Sequence, residues 1–251
     1  MRSHEGSYAH TITGQIRPVK IRILVNLEPA RRFNLWMGEV LRPHVGDVGD
    51  RVLEISAGIG NLTKQFIPRD LYVVSDINPH YLHYLYLRSY AHGKPYIHVP
   101  QIDARNPEYF QKLEDCFDTV LMINVLEHVP DEQVALKNIW STLKPGGHAV
   151  ILAPCHPGLQ GSLDMVLGHR QRYTKASLQQ ALERAGFRVG RLFDLNRCSV
   201  PGWWVNGKLL GKKTFSKLQL ELLDSAIPIL KHIDRLWPWQ GLSLIASAVK
   251  D

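Results

Sequence analysis

Cysteine is scarce in this 251-residue chain: Cys116, Cys155 and Cys198 stand far apart, odd in number and in no metal-like spacing. That argues against a disulfide framework or a cysteine-built metal site and points to a reducing compartment. Long apolar runs are missing too. None approaches the ~20 residues of a membrane span, and no charged-then-apolar leader opens the chain. The expectation is a soluble, cytoplasmic protein. Acids are absent from residues 197–220, which hold Arg197, Lys208, Lys212, Lys213 and Lys217 in a chain of net charge +7. Such a surplus suits an acidic partner, whether a phosphorylated or carboxylated substrate, a nucleic acid or an anionic membrane surface; it also suits a plain solvated face.

What is present centres on Arg51–Thr63. An apolar run ends in Glu54-Ile55, breaks into Ser56-Ala57-Gly58-Ile59-Gly60, and reopens at Asn61-Leu62-Thr63 with a helical pattern. This reads as a strand, a tight turn and a helix start. An acid at the strand's end, two glycines that let backbone approach a ligand, and a helix N-terminus form a site for a polar, nucleotide-like cofactor. A dinucleotide fingerprint needs a third glycine where Thr63 stands, which counts against NAD.

Around this stretch, apolar runs predict further strands at Leu71–Ser75, Tyr96–Val99, Phe117–Asn124, His148–Ala153, Phe187–Leu195 and Leu242–Val249. Helical patterns fall at Pro29–Leu41, stopped by Pro43, at 79–92, at Asp131–Leu143, closed by Lys144-Pro145-Gly146-Gly147, and from a Thr174 cap to Ala185. The fold class is therefore α/β: a Rossmann-like, doubly wound, mostly parallel seven-stranded sheet. Residues 1–28 form an N-terminal arm, with an alternating extended stretch at 19–25. The core spans 29–196 plus 241–251. The interval 197–240 is far longer than the ~4–6 residues of an ordinary connection. In it Phe215, Leu218, Leu222, Ala226, Ile229, Ile233 and Leu236 recur at helical steps with Pro228 among them. It is expected to be a helical lid inserted before the last strand, with Trp203, Trp204, Trp237 and Trp239 either facing an acceptor pocket or gluing the lid to the sheet.

Asp76 stands 22 residues after Glu54, near the ~20-residue separation at which a second-strand carboxylate accepts from both ribose hydroxyls; capping the helix that opens at Asn78-Pro79 is the alternative. Asn124 ends the fourth strand, on the edge where ligands sit in open α/β sheets.

The turn resembles motif I of the class I S-adenosylmethionine-dependent methyltransferases, with Ser56 in place of the usual first glycine and able to make the turn at negative φ. The resemblance implies S-adenosyl-L-methionine as cofactor, held by Glu54, Ser56, Gly58, Gly60, Asp76, Ile77, Asp103, Ala104, Asn124 and His128, with Asp103 accepting from the adenine amino group. In this family a helix before the first strand packs over the cofactor's methionine end, so Trp36 or Arg32 either lines the site or packs elsewhere. Pro154-x-His156-Pro157, Gly161-Ser162-Leu163-Asp164, Gly168-His169, Arg172-Tyr173-Thr174 and Val200–Gly207 resemble a bacterial subgroup often fused or adjacent to glycosyltransferases. This implies methylation of a sugar, a lipid-linked molecule or a specialised metabolite.

Exclusions narrow the chemistry. Asn124-Val125-Leu126-Glu127 lacks the Asn/Asp-Pro-Pro-aromatic tetrad that grips a flipped base, and Ala153-Pro154 lacks the acids that would hold Mg²⁺, so metal-independent transfer is expected. His169 and His156 are the candidate bases, since imidazole titrates near neutrality. Arg172, Tyr173 and Trp203 are assigned to the acceptor, which Arg172 would clamp through a phosphate or carboxylate unless it pairs within its own loop. O-methylation is the leading expectation. An N- or C-methyltransferase, an RNA methyltransferase docking on the basic segment, and a cofactor-binding protein without catalysis remain as alternatives.

Overall fold

Strand β1 (Arg51–Ile55) buries four of its five residues, the pattern of a strand covered on both faces. The computed structural model describes residues 30–47, 50–67, 69, 71–91 and 97–251. The arm, the extended stretch at 19–25 and Pro29 lie outside the described residues. The strands β1, β2 (Leu71–Val74), β3 (Ile97–His98), β4 (Phe117–Ile123), β5 (Leu143–Pro154), β6 (Phe187–Leu195) and β7 (Ser243–Lys250) line up in the order β3-β2-β1-β4-β5-β7-β6. Six have four or more residues, and β3 is a two-residue strip at one edge. Strands β3, β2, β1, β4 and β5 pair in parallel, while β7 runs antiparallel to both β5 and β6.

Before β1 comes α1 (Arg31–Leu41); α2 (Pro79–Ala91) joins β2 to β3, and α3 (Glu132–Thr142) joins β4 to β5. After β5 come a short α4 (Ser162–Leu167) and α5 (Lys175–Arg184). Because strand side chains alternate between faces, one face of the sheet offers Leu53, Ile55, Val120 and Met122 to Leu136 and Ile139 of α3 and Leu178 and Leu182 of α5. The opposite face offers Val52, Tyr72, Leu121 and Val150 to Trp36, Met37 and Leu41 of α1. Each such side chain fully buried contributes roughly 1.5–3 kcal/mol. Trp36 is thus a core residue, set edge-on against Phe33.

Several boundaries differ from expectation. Helix α3 ends at Thr142, just before Lys144–Gly147 as expected, but that stretch lies within β5, which begins at Leu143 by pairing with Phe117. The α3 helix starts one residue after Asp131, whose carboxylate caps it by accepting from the Gln133 and Val134 amides. The helix expected after the β1 turn is only a 3₁₀ turn, Thr63–Gln65. Pro68 follows too closely for a helix to propagate, so the turn gains no helix dipole.

Residues 197–240 leave the carboxyl end of β6 and return to β7. They contain a helical turn, α6 (Val200–Trp203), running into a π-helical stretch (Trp204–Leu209), then α7 (Lys217–Ile233) with Pro228 inside it. Helix α7 is tied to α1 by the Phe33 amide donating to Asp224 Oδ1 (2.9 Å) and by Lys231 on Glu39 (2.9 Å), and it buries Ile227 in the same core as Trp36. Among the described residues, no helix is long and apolar enough to cross a membrane.

Candidate cofactor and acceptor site

The chain leaves β1 toward β2 and β3 on one side and enters β4 and β5 on the other, so a crevice opens at the carboxyl ends of β1 and β4. The turn after β1 stands at its mouth. Ser56 (φ 56), Gly58 (φ 61) and Gly60 (φ 77) are all left-handed. The expected negative φ at Ser56 is corrected: this turn needs the left-handed region at the missing glycine's position, and serine adopts it at a cost of ~1–2 kcal/mol. At Gly60 the positive φ favours glycine, and a Cβ would meet Leu85 Cδ2 at 2.8 Å, so the buried Leu85 side chain would have to shift as well.

Glu54 lies beneath the turn. Its Oε2 accepts from Thr63 Oγ1 and from the Tyr72 hydroxyl, both at 2.8 Å. Burial pushes its carboxyl up to about 7, against the pull of those two donors. Thr63 and Tyr72 were not foreseen; Thr63 stands where a dinucleotide turn would carry glycine, the one signal the sequence offered.

Asp76 joins the second strand's end to the turn. Its Oδ2 accepts from the Gly58 amide (2.9 Å) and its Oδ1 from the Asn78 amide (2.8 Å), while Asn78 Oδ1 takes the His80 amide of α2 (3.0 Å). The first turn of α2 is therefore served by Asn78, leaving Asp76 against the glycines. Burial raises the Asp76 carboxyl to about 6, with the amides of Asn78, Gly58 and Ile77 pulling the other way. The Ile102 amide donates to Asp76 O (3.3 Å) and Gln101 Nε2 to Ile77 O (2.8 Å), which sets Asp103-Ala104 alongside Asp76-Ile77. Ile77 is exposed on this edge and Ala104 is buried, its carbonyl accepting from Asn138 Nδ2. Asp103 is gripped by Arg105 through Nε (2.8 Å) and Nη2 (2.6 Å), and those bonds hold its carboxyl below the usual range. Asn124, left-handed at φ 53, directly follows β4 with its amide on Leu152 O (2.8 Å).

A second group converges farther along the same edge. His128 follows β4 in a 3₁₀ turn, with Nδ1 on Gly168 O at 2.9 Å. His169 Nδ1 meets Asp164 Oδ1 at 2.8 Å, its Nε2 lies 3.8 Å from Glu127 Oε1, and the two imidazole centroids are 5.2 Å apart. Asp164, fully buried, also accepts from Arg172 Nε (2.7 Å) and the Gly161 amide (3.0 Å); despite burial, His169 and Arg172 hold its carboxyl low.

Arg172 and Tyr173 do not face an open pocket. Arg172 is buried, with Nη1 on Cys155 O (2.7 Å) and its guanidinium 4.8 Å above the Trp203 ring. Pairing within the loop, the alternative for this residue, is what the geometry presents. Tyr173 points into the core near α3, donating to Glu132 Oε2 at 2.7 Å; burial and that carboxylate push its phenol far up. His156, left-handed at φ 71, is half-buried at the rim just past β5. The turn, Asp76 and Asp103 thus gather at the crevice, His128 and His169 meet past the end of β4, and Arg172 stacks over Trp203.

A methyltransferase-domain profile matches residues 29–192. A tRNA U34 carboxymethyltransferase of Pseudomonas aeruginosa (strain LESB58) is 31% identical over 181 residues, covering 66% of this chain and 53% of the relative. A ubiquinone biosynthesis O-methyltransferase of Photorhabdus laumondii is 28% identical over 123 residues, covering 48% of this chain and 50% of that one. The chain spans about half the length of the curated relatives it matches. Among solved structures, a SAM-dependent methyltransferase from Thermotoga maritima superposes with a TM-score of 0.64 at 14% identity, covering 93% of this chain and 99% of that chain.

Proposed function

The chain belongs to the methyltransferase-domain family and uses S-adenosylmethionine, and we propose that it transfers the methyl group to an oxygen of a small-molecule, sugar or lipid-linked acceptor. The observation that carries this reading is the outer face of α7. Leu218, Leu222, Ile229 and Leu236, the last just beyond the helix, follow one another at helical spacing and are each 62% or more exposed. Water-facing leucines in such a row mark an interaction surface. The acid-free stretch leading into the helix adds Lys208, Lys212 and Lys213, and the helix opens with Lys217. An apolar row beside lysines suits an acceptor with a hydrocarbon tail and an anionic head, presented at a membrane surface. In this reading residues 197–240 form the lid over the acceptor.

Asp76 accepts from the ribose hydroxyls, and Asp103-Ala104 with Ile77 hold the adenine, while the Ser56–Gly60 turn and Asn124 lie against the rest of the cofactor. The base we assign is His156. It is held in a sparsely populated backbone conformation at the rim, of the kind that recurs at active sites, and its imidazole has access to an acceptor. His169, only 10% exposed, acts through its cluster instead. The imidazole removes the hydroxyl proton as the oxygen attacks the methyl carbon in line, and the sulfur departs as the neutral thioether. Glu54 supports the turn through Thr63 and Tyr72.

A second reading is favoured by the tRNA U34 carboxymethyltransferase relatives: an RNA acceptor docked on the same lysines. Carbon-13 NMR of the product made with [¹³C-methyl]-S-adenosylmethionine separates methyl on oxygen from methyl on nitrogen or carbon. A methoxy signal supports the proposal; an N-methyl or C-methyl signal overturns it.

A further inference from the structure

We propose that Glu127, His128 and His169 form a binding site for a divalent transition-metal ion of the zinc class. One donor atom of each lies within 4.8 Å of the others, at the end of β4. Two imidazoles and one carboxylate are the ligand set that borderline ions such as Zn²⁺ or Co²⁺ prefer over Mg²⁺ or Ca²⁺.

The surroundings orient the donors. Gly168 O is a carbonyl and can only accept, so His128 Nδ1 carries the proton and the lone pair of the neutral ring sits on Nε2. Asp164 does the same for His169: the carboxylate that meets Nδ1 at 2.8 Å also accepts from Arg172 Nε and the Gly161 amide, so it stands as an acceptor and Nδ1 carries the proton. The result is a carboxylate–histidine and a carbonyl–histidine pair, the outer-shell arrangement that fixes ligand tautomers in metal sites. Arg172, locked between Asp164 and Cys155 O, keeps Asp164 in place from behind. The 3.8 Å gap between His169 Nε2 and Glu127 Oε1 is too long for a hydrogen bond. An ion bonded to each atom at ~2.0–2.2 Å spans it. Three protein ligands leave a coordination position for water or another small donor. The expectation of metal-independent transfer rests on the missing acids at Ala153-Pro154 and does not bear on this cluster, which lies at a different strand end.

The inference stands apart from the acceptor reading, and its test reads metal binding with no methyl transfer. The tag-free chain is stripped with a chelator, dialysed and titrated with Co²⁺, followed by visible absorption, and with Zn²⁺ by competition against a chromophoric chelator. One tight site per chain is expected. Because ten of the chain's twelve histidines lie outside the site and offer weak binding, the comparison with variants decides. His169→Ala and His128→Ala should each weaken the tight site at least tenfold, and Asp164→Asn should weaken it less while ligands remain. Glu127→Gln, which keeps the shape of the side chain, should also weaken it. Melting temperature and far-ultraviolet circular dichroism, measured on each variant, identify those that fold; the conclusion is drawn on these. Equal Co²⁺ and Zn²⁺ binding by wild type and the folded variants, or no site tighter than millimolar in wild type, overturns the proposal.

Discussion

Asp76 Oδ2 accepts the Gly58 amide at 2.9 Å, so a single carboxylate at the end of β2 braces the glycine turn that follows β1. Removing it should loosen the turn and delete the proposed ribose acceptor together. Asp76→Ala is expected to weaken S-adenosylhomocysteine binding tenfold or more by calorimetry; unchanged affinity would remove Asp76 from the cofactor site.

The same carboxyl predicts a pH dependence of binding. In the proposed role the ionised form accepts from the ribose hydroxyls, and burial places its titration in the free protein at about 6. Affinity for S-adenosylhomocysteine should be level above that pH and decline toward tenfold per unit below it, with the Asp76→Asn variant weaker but flat. A wild-type profile as flat as the variant's would contradict the assignment.

Glu54 predicts the opposite trend for stability. Burial pushes its carboxyl up to about 7 in the folded chain, against 4.5 for an exposed glutamate, so between those values the native state holds a proton the unfolded chain has released. Its contribution is fully present below about 4.5 and is lost as pH rises through 7, a change on the order of 3 kcal/mol. Glu54→Gln keeps an acceptor for Thr63 and Tyr72 but cannot ionise. Between pH 5 and 8 the melting temperature of wild type should therefore fall further than that of the variant; parallel curves would refute the buried titration.

At Ser56 the left-handed backbone is the constraint. Ser56→Gly should match wild type or melt slightly higher, whereas Ser56→Val should lose about 1 kcal/mol or more, since a β-branched side chain tolerates φ 56 poorly. Equal stability of the two variants in denaturant titrations would show that the turn relaxes.

His156→Ala should reduce kcat by 10²–10⁴-fold while leaving S-adenosylhomocysteine affinity within twofold. A loss confined to KM would make His156 an acceptor contact and move the base elsewhere.

Much of the scaffold was legible because periodicity reports burial. The β4 strand, Phe117–Ile123, follows the apolar run expected at Phe117–Asn124 to within one residue and buries five of its seven residues, and the interval from Glu54 to Asp76 brought that acid to the glycine turn. Three kinds of feature were not. The short turn at Thr63–Gln65 looked helical because three residues cannot reveal how soon Pro68 stops them. The inward direction of Tyr173 and the burial of Arg172 depend on a Cys155–Tyr173 bridge between β5 and a distant loop. The meeting of His128 with His169 depends on Gly168 folding back onto the end of β4, a contact between residues far apart in sequence.

The most direct test of the account is where the methyl group goes. The protein is incubated with methyl-labelled S-adenosylmethionine and a cell extract, then separated into lipid, small-molecule, protein and nucleic-acid fractions. The account predicts label in the lipid or small-molecule fraction, reduced when Leu222 and Ile229 are replaced by aspartate in a variant that still binds S-adenosylhomocysteine. Label in transfer RNA or protein, unaffected by those replacements, would contradict it.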